Sequence, residues 1–245
     1  MGTTYSKPRF DNTYREFDRD LVASQSILTQ RSSTLPELSL ELWRYKYAKR
    51  GIDLLLGSIM LVAFILPGVL IAALIAATSA GSVFYREERM GRNGTNFRIW
   101  KFRTMFARGQ RRRGYPCENE SGIAVQWRMM KHLPDPRITR IGRVLRSWSL
   151  DEIPQLINVL RGEMSLVGPR PIVQAECGFY ADSLPLYLAA VPGLSGLWQV
   201  SGRCCLDYGE RVAMDTRYVT NWSLRNDMLI LLRTLPAVIG REGAH

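Results

Sequence analysis

The chain has 245 residues, 46% of them hydrophobic and 22% charged, and a mean hydropathy close to zero, which excludes a disordered chain, a collagen, a coiled-coil rod and a bundle of membrane spans. Its 33 Lys and Arg side chains oppose 22 Asp and Glu side chains, for a formal net charge of +11. Such an excess indicates an anionic partner, which composition alone leaves open among nucleic acid, a phosphorylated metabolite and an acidic membrane surface.

Residues 1–45 carry scattered polar residues with little periodicity, and we expect them to form a weakly ordered cytoplasmic arm. The segment 54–80 then contains no charged residue at all. As one helix with a rise of about 1.5 Å per residue it would extend over roughly 40 Å, more than the roughly 30 Å hydrocarbon layer of a bilayer. The sequence therefore predicts a membrane element within residues 46–81.

Pro67 divides this segment into two halves, neither of which could cross a bilayer alone. Because proline removes a helical donor and disfavours helix at the preceding residue, we expect a sharp break at Leu66 and Pro67. Basic residues flank the segment on both sides: Arg44, Lys46, Lys49 and Arg50 before it, and Arg86, Arg89, Arg92, Arg98, Lys101 and Arg103 after it. The positive-inside rule then puts both ends in the cytoplasm. This favours a re-entrant helix. A kinked spanning helix is the alternative.

Beyond Gly81 the pattern becomes that of a mixed soluble domain, residues 82–245. Residues 83–86 and 97–103 are predicted as strands, joined by a hairpin turn at 92–94. The polar stretch 107–131 is expected to be a loop or insertion.

Two helices are predicted near the C-terminus, at 208–219 and at 224–239, the second capped by Ser223. The apolar face of the second helix either packs in the core or lies in the membrane headgroup region. The predicted fold class is mixed α/β, mostly helical with a short β-hairpin, carrying a re-entrant helix and interfacial helices against a cytoplasmic catalytic domain.

Four arginines recur every three residues before position 150, namely Arg137, Arg140, Arg143 and Arg146. On a helix each step of three residues turns the side chain by about sixty degrees from the last, so the four cannot all face one ligand. At least two of them are expected to face solvent or headgroups.

Asp151 and Glu152 follow directly, in the sequence Ser149-Leu-Asp-Glu152. This has the spelling of a capping box, although Pro154 fits better in the first turn of a helix that starts at Asp151. Both carboxyl groups are expected to be ionised at pH 7 and to point to different atoms. Carboxylates beside an arginine-rich wall suit a magnesium-bound diphosphate, with one oxygen attacking phosphorus and another holding the metal.

Two loops complete the candidate site. Arg170, between two prolines in Gly168-Pro-Arg-Pro171, is held in a stiff turn that suits phosphate binding, with an ordinary surface arginine as the alternative. The glycine-rich stretch 192–203 ends in Arg203 and could approach phosphate or let Trp198 stack on a base, although a core position for Trp198 is the more ordinary interpretation. It matches neither a P-loop nor a dinucleotide fingerprint.

Taken together, these motifs resemble the bacterial sugar transferases that prime exopolysaccharide, capsule or O-antigen synthesis, the monotopic polyprenyl-phosphate phosphoglycosyl transferases. The resemblance runs from Lys46 to the C-terminus. Its motifs are Lys49-Arg-Gly-Ile-Asp53, Arg89-Met-Gly-Arg-Asn-Gly94, Lys101-Phe-Arg-Thr-Met105, Asp135-Pro-Arg137, Leu145-Arg-Ser-Trp-Ser-Leu-Asp-Glu-Ile-Pro-Gln155, Gly168-Pro-Arg-Pro171, Pro192-Gly-Leu-Ser-Gly-Leu-Trp-Gln-Val-Ser-Gly-Arg203 and Tyr218-Val219. The single apolar segment and Asn221-Trp-Ser-Leu224 are most similar to the galactosyl-phosphate transferases of exopolysaccharide pathways.

The resemblance implies an enzyme on the cytoplasmic face of the bacterial inner membrane. It would move hexose-1-phosphate, with galactose favoured and glucose open, from UDP-hexose to undecaprenyl phosphate and release UMP, with Mg²⁺ as cofactor. It implies Asp151 as the nucleophile that forms a phosphosugar-aspartate and Glu152 as support for the metal, so that both carboxylates are metal ligands. The other implied site residues are Lys101, Arg146 and Arg170 for phosphate groups and Trp198 and Arg203 in the nucleotide or substrate loop. No nucleic-acid partner is implied, and a homodimer stays open.

Two positions depart from the family pattern: Leu66 stands where many members have serine before the proline, and Glu87 stands where glutamine is common. A rival within the enzyme class is direct transfer with Asp151 as a base, which an already ionised acceptor phosphate scarcely needs. A rival from another class is a membrane-tethered basic module that binds acidic lipid or nucleic acid without catalysis. That module explains the charge but not two carboxylates among arginines, which would repel phosphate unless a metal intervened.

Overall fold

A computed structural model of the chain describes residues 44–106, 135, 137–201 and 206–240, which belong to one unit comprising residues 39–245. The predicted arm, apart from its last two residues, lies outside the described residues, as do the predicted insertion at 107–131 and Arg203.

Helices dominate the described chain, with four short strands among them. In chain order the elements are α1 (Arg50–Thr78), β1 (Phe84–Met90), β2 (Asn96–Phe102), α2 (Arg140–Ser147), a 3-10 helix (Leu150–Gln155), α3 (Leu156–Arg161), β3 (Ser165–Val167), α4 (Leu184–Ala189), β4 (Gly193–Ser195), α5 (Tyr208–Thr220) and α6 (Leu224–Ile239). A π-helical turn at Arg44–Lys49 leads into α1, and short 3-10 helices lie at Gln174–Phe179, Ala181–Ser183 and Trp198–Val200. This confirms the mixed, mostly helical class.

The predicted hairpin is confirmed. β1 and β2 pair antiparallel, with Phe84 opposite Phe102 and Met90 opposite Asn96. The turn between them contains Asn93 and Gly94, whose φ angles of 58° and 72° lie in the left-handed region. Asparagine and glycine adopt that region at the lowest steric cost, which is why this dipeptide marks the turn in the sequence.

A second, parallel pair joins β3 to β4, with Ser165 opposite Gly193 and Val167 opposite Ser195. These strands have only three residues each. Such strands are too short to show an alternating pattern, so no pattern in the sequence predicted them.

The apolar segment forms α1, which is helical from Arg50 to Thr78 and continuous through Leu66 and Pro67. The helix is therefore not interrupted at these two residues, and a bend there stays a prediction. Within the described ranges, this is the one helix that is long and apolar enough to cross a membrane, judged by length and composition. Only 11% of its most apolar window is buried, whereas the core helix of a soluble protein would be mostly buried.

The half of α1 before Pro67 is attached to β3 and α3. Asp53, which is 5% exposed, accepts hydrogen bonds at Oδ1 from the Ser165 hydroxyl and the Leu166 backbone N–H, both at 3.0 Å. One turn later, Gly57 lies so close to α3 that an added Cβ would meet Leu160 and Val159 at 3.4 and 3.5 Å.

The half after Pro67 is attached to β2 and α2 of the same unit. Ile71 and Ile75 form a buried cluster with Phe102 and Leu145. Arg103 contacts the C-terminal end of this helix. Its guanidinium donates to the carbonyl oxygens of Ser79 and Ala80 at 2.7 Å each. These carbonyls follow the last turn of the helix, where a cation is favourable. Both halves of α1 therefore contact one and the same body.

The start of α1 is fixed to α5 and α6 through a buried ion pair. Lys49 Nζ lies 2.6 Å from Asp227 Oδ2, with side-chain exposures of 6% and 4%. The same carboxylate accepts hydrogen bonds from the Tyr218 hydroxyl at 2.8 Å and from Trp222 Nε1 at 3.0 Å. All four polar groups would be costly to bury singly, so they stabilise the fold only as a set.

The predicted helices at 208–219 and 224–239 and the cap by Ser223 are confirmed, since the Ser223 hydroxyl accepts from Asn226 N at 3.2 Å. In α6, Ile230 is buried, whereas Leu229, Leu232 and Leu235 are exposed. The helix thus packs one face in the core and presents a second apolar face outward.

We predict that Lys49→Met destabilises the protein by about 3–5 kcal/mol, because it leaves the Asp227 carboxylate buried without its cation. The measurement is the unfolding free energy of the full chain in detergent, followed by tryptophan fluorescence in denaturant. Arg233→Met, at an exposed position on α6, is the matched control and should change stability by less than about 0.5 kcal/mol. Equal losses in the two variants would contradict the role of the buried pair.

Candidate active site

Asp151 and Glu152 lie in the 3-10 helix between α2 and α3. Ser149, the residue before it, adopts a left-handed conformation with a φ of 54°, and its side chain makes no capping hydrogen bond. The capping box suggested by the sequence is therefore absent, and Pro154 lies within the helix. A non-glycine residue in this conformation is strained, and here it redirects the chain so that the two carboxylates follow α2 at once.

Strand β2 and the residues after it bring cations to this pair. Lys101 Nζ lies 2.7 Å from Glu152 Oε1, in a pair whose side chains are 17% and 24% exposed. Arg146, on α2, donates from Nε to the Thr104 hydroxyl at 2.9 Å. Its positive charge acts on Asp151, as does that of Lys101. Four of the predicted site residues are thus brought together.

Burial and, second, the neighbouring charge of Glu152 together raise the pKa of Asp151 to about 6, against the lowering effects of Lys101 and Arg146. The carboxyl group is still mostly ionised at pH 7, and it is a stronger base than an exposed aspartate. A partly buried carboxylate of raised basicity is an ordinary setting for a nucleophile or a general base.

A small cleft lies beside Glu152 and reaches Arg170, and Asp151 is not among the residues that line it. Its lining residues are Arg89, Ile99, Lys101, Glu152, Gln155, Arg170, Pro171, Gly193, Leu194 and Gln199. The cleft is rich in cations and amides, which suits a ligand with phosphate and hydroxyl groups.

Arg89, Gln155 and Gln199 are cleft residues to which the sequence analysis assigned no role, although each lies within a motif of the family. Arg89 donates to the Pro171 carbonyl oxygen at 3.1 Å and pairs with Glu87, the residue that departs from the family pattern. Motif membership was thus a signal, but only the fold shows which motif residues face the cleft.

Trp198 is 6% exposed, and two guanidinium groups cover its ring. The Cζ atom of Arg170 lies 5.6 Å from the ring centroid and that of Arg211 lies 4.8 Å away. This arrangement favours the core interpretation of Trp198 over stacking on a base.

The remaining arginines of the three-residue repeat are exposed. Arg140 and Arg143 are exposed on α2. Arg137 precedes the helix and pairs with Asp135 through Nη2 at 2.7 Å. The expectation that at least two of the four face solvent is confirmed.

A magnesium ion was expected at Asp151 and Glu152. The described residues include no group of three or more His, Cys, Asp or Glu side chains that could hold a metal. Magnesium, however, is commonly held by one or two carboxylates together with substrate phosphates, so this donor pair fits an ion that arrives with a diphosphate. The Lys101 contact to Glu152 also opposes tight retention of a cation without substrate.

Comparison with known proteins identifies the family. The model of the bacterial sugar transferases matches residues 44–241, so the chain belongs to the bacterial sugar transferase family. The exopolysaccharide production protein ExoY of Rhizobium meliloti strain 1021 is 46% identical over 199 residues, which cover 81% of this chain and 88% of that protein.

Two further relatives carry more specific names. The UDP-glucose:undecaprenyl-phosphate glucose-1-phosphate transferase of Caulobacter vibrioides is 39% identical over 92% of this chain and 81% of its own length. The undecaprenyl-phosphate galactose phosphotransferase of Salmonella typhimurium is 43% identical over 82% of this chain, but the match spans only 42% of that longer protein. The resemblance drawn from the motifs is confirmed.

We predict that Gly142→Ala weakens the packing of α2 against Thr104. A Cβ at this position would overlap the Thr104 carbonyl oxygen, which belongs to the backbone and cannot move aside, so α2 and Arg146 must shift away from Thr104. Amide hydrogen exchange by mass spectrometry should become faster in α2 and remain unchanged in β1. Gly178→Ala, where a Cβ would meet nothing within 4 Å, is the matched control. Unchanged exchange in α2 of the Gly142→Ala variant would refute this packing argument.

Proposed function

We propose that the protein transfers hexose-1-phosphate from UDP-hexose to undecaprenyl phosphate and releases UMP, as the first membrane step of exopolysaccharide synthesis. The observation that carries the proposal is the partly buried Asp151 carboxyl group, with its pKa raised to about 6, among Lys101, Arg146 and Glu152. The names of the relatives support the substrate class, with galactose favoured and glucose as the alternative.

In the first step a carboxylate oxygen of Asp151 attacks the β-phosphorus of UDP-hexose. The bond between that phosphorus and the bridging oxygen breaks, and the electron pair leaves with UMP. The product is a mixed anhydride, a phosphosugar-aspartate. The raised pKa of Asp151 supports this role, because a more basic carboxylate is a better nucleophile while still being ionised at pH 7.

In the second step a phosphate oxygen of undecaprenyl phosphate attacks the same phosphorus. The bond from phosphorus to the Asp151 oxygen breaks, which regenerates the carboxylate and yields undecaprenyl diphosphate-hexose. The acceptor is already ionised at neutral pH, so no base is needed to activate it. This favours the covalent route over direct transfer.

The cations of the cleft would bind the phosphate groups through both steps. Arg170 and Lys101 line the cleft together with Glu152, and guanidinium groups bind phosphate in a fork. A bound magnesium ion would neutralise diphosphate charge, held by Asp151 and Glu152. Because Lys101 contacts Glu152 at 2.7 Å, it would pass from the carboxylate to the phosphate as the substrate enters.

We further propose that α1 enters and leaves the membrane on the cytoplasmic face. Its two halves are bound to one polar body: the first through Asp53 and Gly57, the second through Ile71 and Ile75. A spanning helix would carry one of these halves across the hydrocarbon layer, away from the body that binds it. The exposed apolar residues near the middle of α1 would then be the part that dips into one leaflet, near the polyprenyl chain.

The alternative of a non-catalytic basic module is less well supported. Such a module needs cations facing its ligand, whereas here two carboxylates lie among the cations, one of them partly buried and with a raised pKa. That arrangement costs stability and is explained by chemistry at Asp151.

We predict that the wild-type protein, given UDP-hexose and magnesium without lipid, gains the mass of one hexose phosphate on Asp151. Asp151→Asn should abolish both this adduct and UMP release, because an amide is not a nucleophile here, while membrane attachment persists. Peptide mass spectrometry and a UMP assay over a panel of UDP-sugars make the measurement. Asp182→Asn, at an exposed position, is the matched control and should retain activity. UMP release that requires lipid, with no adduct trapped, would exclude the two-step route.

We predict that both flanks of α1 face the cytoplasm. Single cysteines at exposed positions, Gly51→Cys and Ser82→Cys, should react with a membrane-impermeant maleimide in inverted vesicles but not in intact spheroplasts, in a chain whose own cysteines are replaced. Leu66→Cys, at the exposed middle of α1, should react in neither preparation. Labelling of either flank from outside the cell would establish a spanning helix.

A further inference from the structure

Two arginines from different elements lie against one indole ring on the outer side of the β1–β2 hairpin. The guanidinium carbon of Arg86, on β1, lies 3.7 Å from the centroid of the Trp100 ring, and that of Arg161, at the end of α3, lies 5.9 Å from it. Both arginines are exposed, and Trp100 is half-buried. We call these three residues the Trp100 cluster. Because side chains alternate along β2, Trp100 lies on the face opposite to Lys101, so the cluster is separate from the candidate active site.

The fold itself brings the three side chains together. Asn158 of α3 is fully buried, and its side chain binds the backbone of β2. Its Oδ1 atom accepts from the Trp100 backbone N–H at 3.1 Å, and its Nδ2 atom donates to the Arg98 carbonyl oxygen at 2.8 Å. These two bonds attach β2 to α3, which ends at Arg161. On the other strand, Arg86 is directly opposite Trp100 in the antiparallel register. The cluster is therefore fixed by the hairpin register and by one buried amide.

No carboxylate neutralises this cluster. Among the residues that the structure describes, neither of its guanidinium groups forms an ion pair. Glu87 belongs to the opposite face of the hairpin and forms its ion pair there. Glu163 accepts a hydrogen bond from Asn158 at 2.7 Å, and Glu88 lies opposite Arg98 in the hairpin. Two like charges at one ring repel each other, and a bound anion would relieve that repulsion.

Local packing does not account for both arginines. A cation at the end of α3 is favourable for the last carbonyl groups of that helix. Those of Val159 and Leu160, however, already accept from the Arg50 guanidinium at 2.6 and 2.7 Å. A cation–π contact with Trp100 likewise needs only one guanidinium, which Arg86 supplies at the shorter distance. The second guanidinium, that of Arg161, indicates a ligand.

The Trp100 cluster lies beside the exposed apolar part of α1. Leu160, the residue before Arg161, is the side chain that a Cβ at Gly57 would meet at 3.4 Å. Phe102, two residues after Trp100, would meet a Cβ at Gly68 at 3.8 Å. The cluster is thus bracketed by two contacts with α1. Between these contacts the helix exposes four large apolar side chains, namely Ile59, Val62, Ile65 and Leu66.

We propose that the Trp100 cluster binds the phosphate headgroup of an anionic phospholipid whose acyl chains lie along the exposed apolar side of α1. Guanidinium groups bind phosphate in a fork, and arginine also stacks on aromatic rings, so one side chain can do both. Tryptophan is enriched where a membrane meets water. The inference rests on the membrane contact proposed for α1 and adds a lipid site that takes no part in the transfer reaction.

The bound lipid is not the acceptor of the proposed reaction. The acceptor phosphate must reach Asp151, which is near Lys101 and therefore on the other side of β2. The headgroup at the Trp100 cluster consequently belongs to a lipid of the surrounding membrane. Its role is to hold the hairpin at the headgroup layer while α1 contacts the acyl chains.

The closing experiment measures lipid binding to the full chain in detergent by native mass spectrometry. Phosphatidylglycerol and phosphatidylcholine with identical acyl chains are the probes. The wild-type protein should bind its first phosphatidylglycerol more than about tenfold more tightly than phosphatidylcholine, since each arginine near an anionic headgroup contributes about fivefold. Arg86→Gln and Arg161→Gln should each lower this preference by about fivefold, and the double variant should retain less than about a twofold preference.

Arg217→Gln, at an exposed position on α5, is the matched control and should change the preference by less than about twofold. An equal loss in Arg217→Gln would show that net charge alone attracts the lipid, and an undiminished preference in the double variant would show that it binds elsewhere. Either result would overturn the proposal. Displacement of phosphatidylglycerol by an equal concentration of soluble glycerol phosphate would overturn the assignment to a lipid.

Quenching by brominated acyl chains tests where the lipid lies. Brominated phosphatidylglycerol should quench the wild-type tryptophan fluorescence more strongly than brominated phosphatidylcholine. The excess should disappear in Trp100→Phe, which removes the reporting ring, and in the double variant, which removes the headgroup contacts. Excess quenching that persists in Trp100→Phe would place the anionic lipid at another tryptophan and would contradict the proposal.

Two further measurements on the same proteins distinguish this inference from the proposed function. UMP release should be unchanged in the double variant, because the Trp100 cluster lies outside the candidate active site. UMP release without any phosphatidylglycerol preference would overturn the lipid site and leave the proposed function intact. A preference that depends on Arg86 and Arg161, without UMP release from any UDP-hexose, would do the reverse.

Discussion

The attachment of α1 to one body on both sides of Pro67 is the constraint on which the rest of the structure depends. Before the proline, Asp53 is hydrogen-bonded to β3, and after it Ile71 and Ile75 pack on Phe102 of β2. Because side chains alternate along a strand, Phe102 faces α1 while its neighbour Lys101 faces Glu152. A single strand therefore has the apolar helix on one face and the candidate active site on the other.

Burial governs the chemistry of the acids around the cleft. It is the largest cause of the raised pKa of Asp151 and of Asp215, and in both cases an arginine opposes it. Removal from water strengthens the electrostatic interaction of each charge with its neighbours. Arg146 and Arg170 therefore act on these carboxylates more strongly than they could at the surface. The cost of these buried charges is a reason to regard them as functional and not as incidental.

Local signals in the sequence predicted local structure well. Asn93 and Gly94 gave the hairpin turn, and Ser223 gave the start of α6. The site could be predicted only from several sequence motifs taken together, since an Asp-Glu dipeptide alone indicates little. Pro67 does not end the helix, because a proline penalty of about 3 kcal/mol can be outweighed by packing, and Gly68 and Ile71 both lie against Phe102.

What the sequence could not reveal depends on contacts between distant residues. The ion pair of Lys49 with Asp227 joins positions 178 residues apart. Asp215 likewise lies in a helix whose pattern predicts nothing unusual, and only the fold brings it to the Tyr180 hydroxyl. No periodicity or spacing encodes such pairs.

The hydrogen bonds of Asp53 and the ion pair of Lys49 also bear on how the enzyme could be divided. A fragment that begins after Ser79 would lose Ile71 and Ile75 from the cluster around Leu145 and leave Asp227 without its cation. The apolar segment is thus part of the folded unit and cannot be removed as if it were only a membrane anchor. Cutting it away to obtain a water-soluble catalytic fragment would remove part of the core, and purification in a lipid or detergent environment is the condition under which the native arrangement persists.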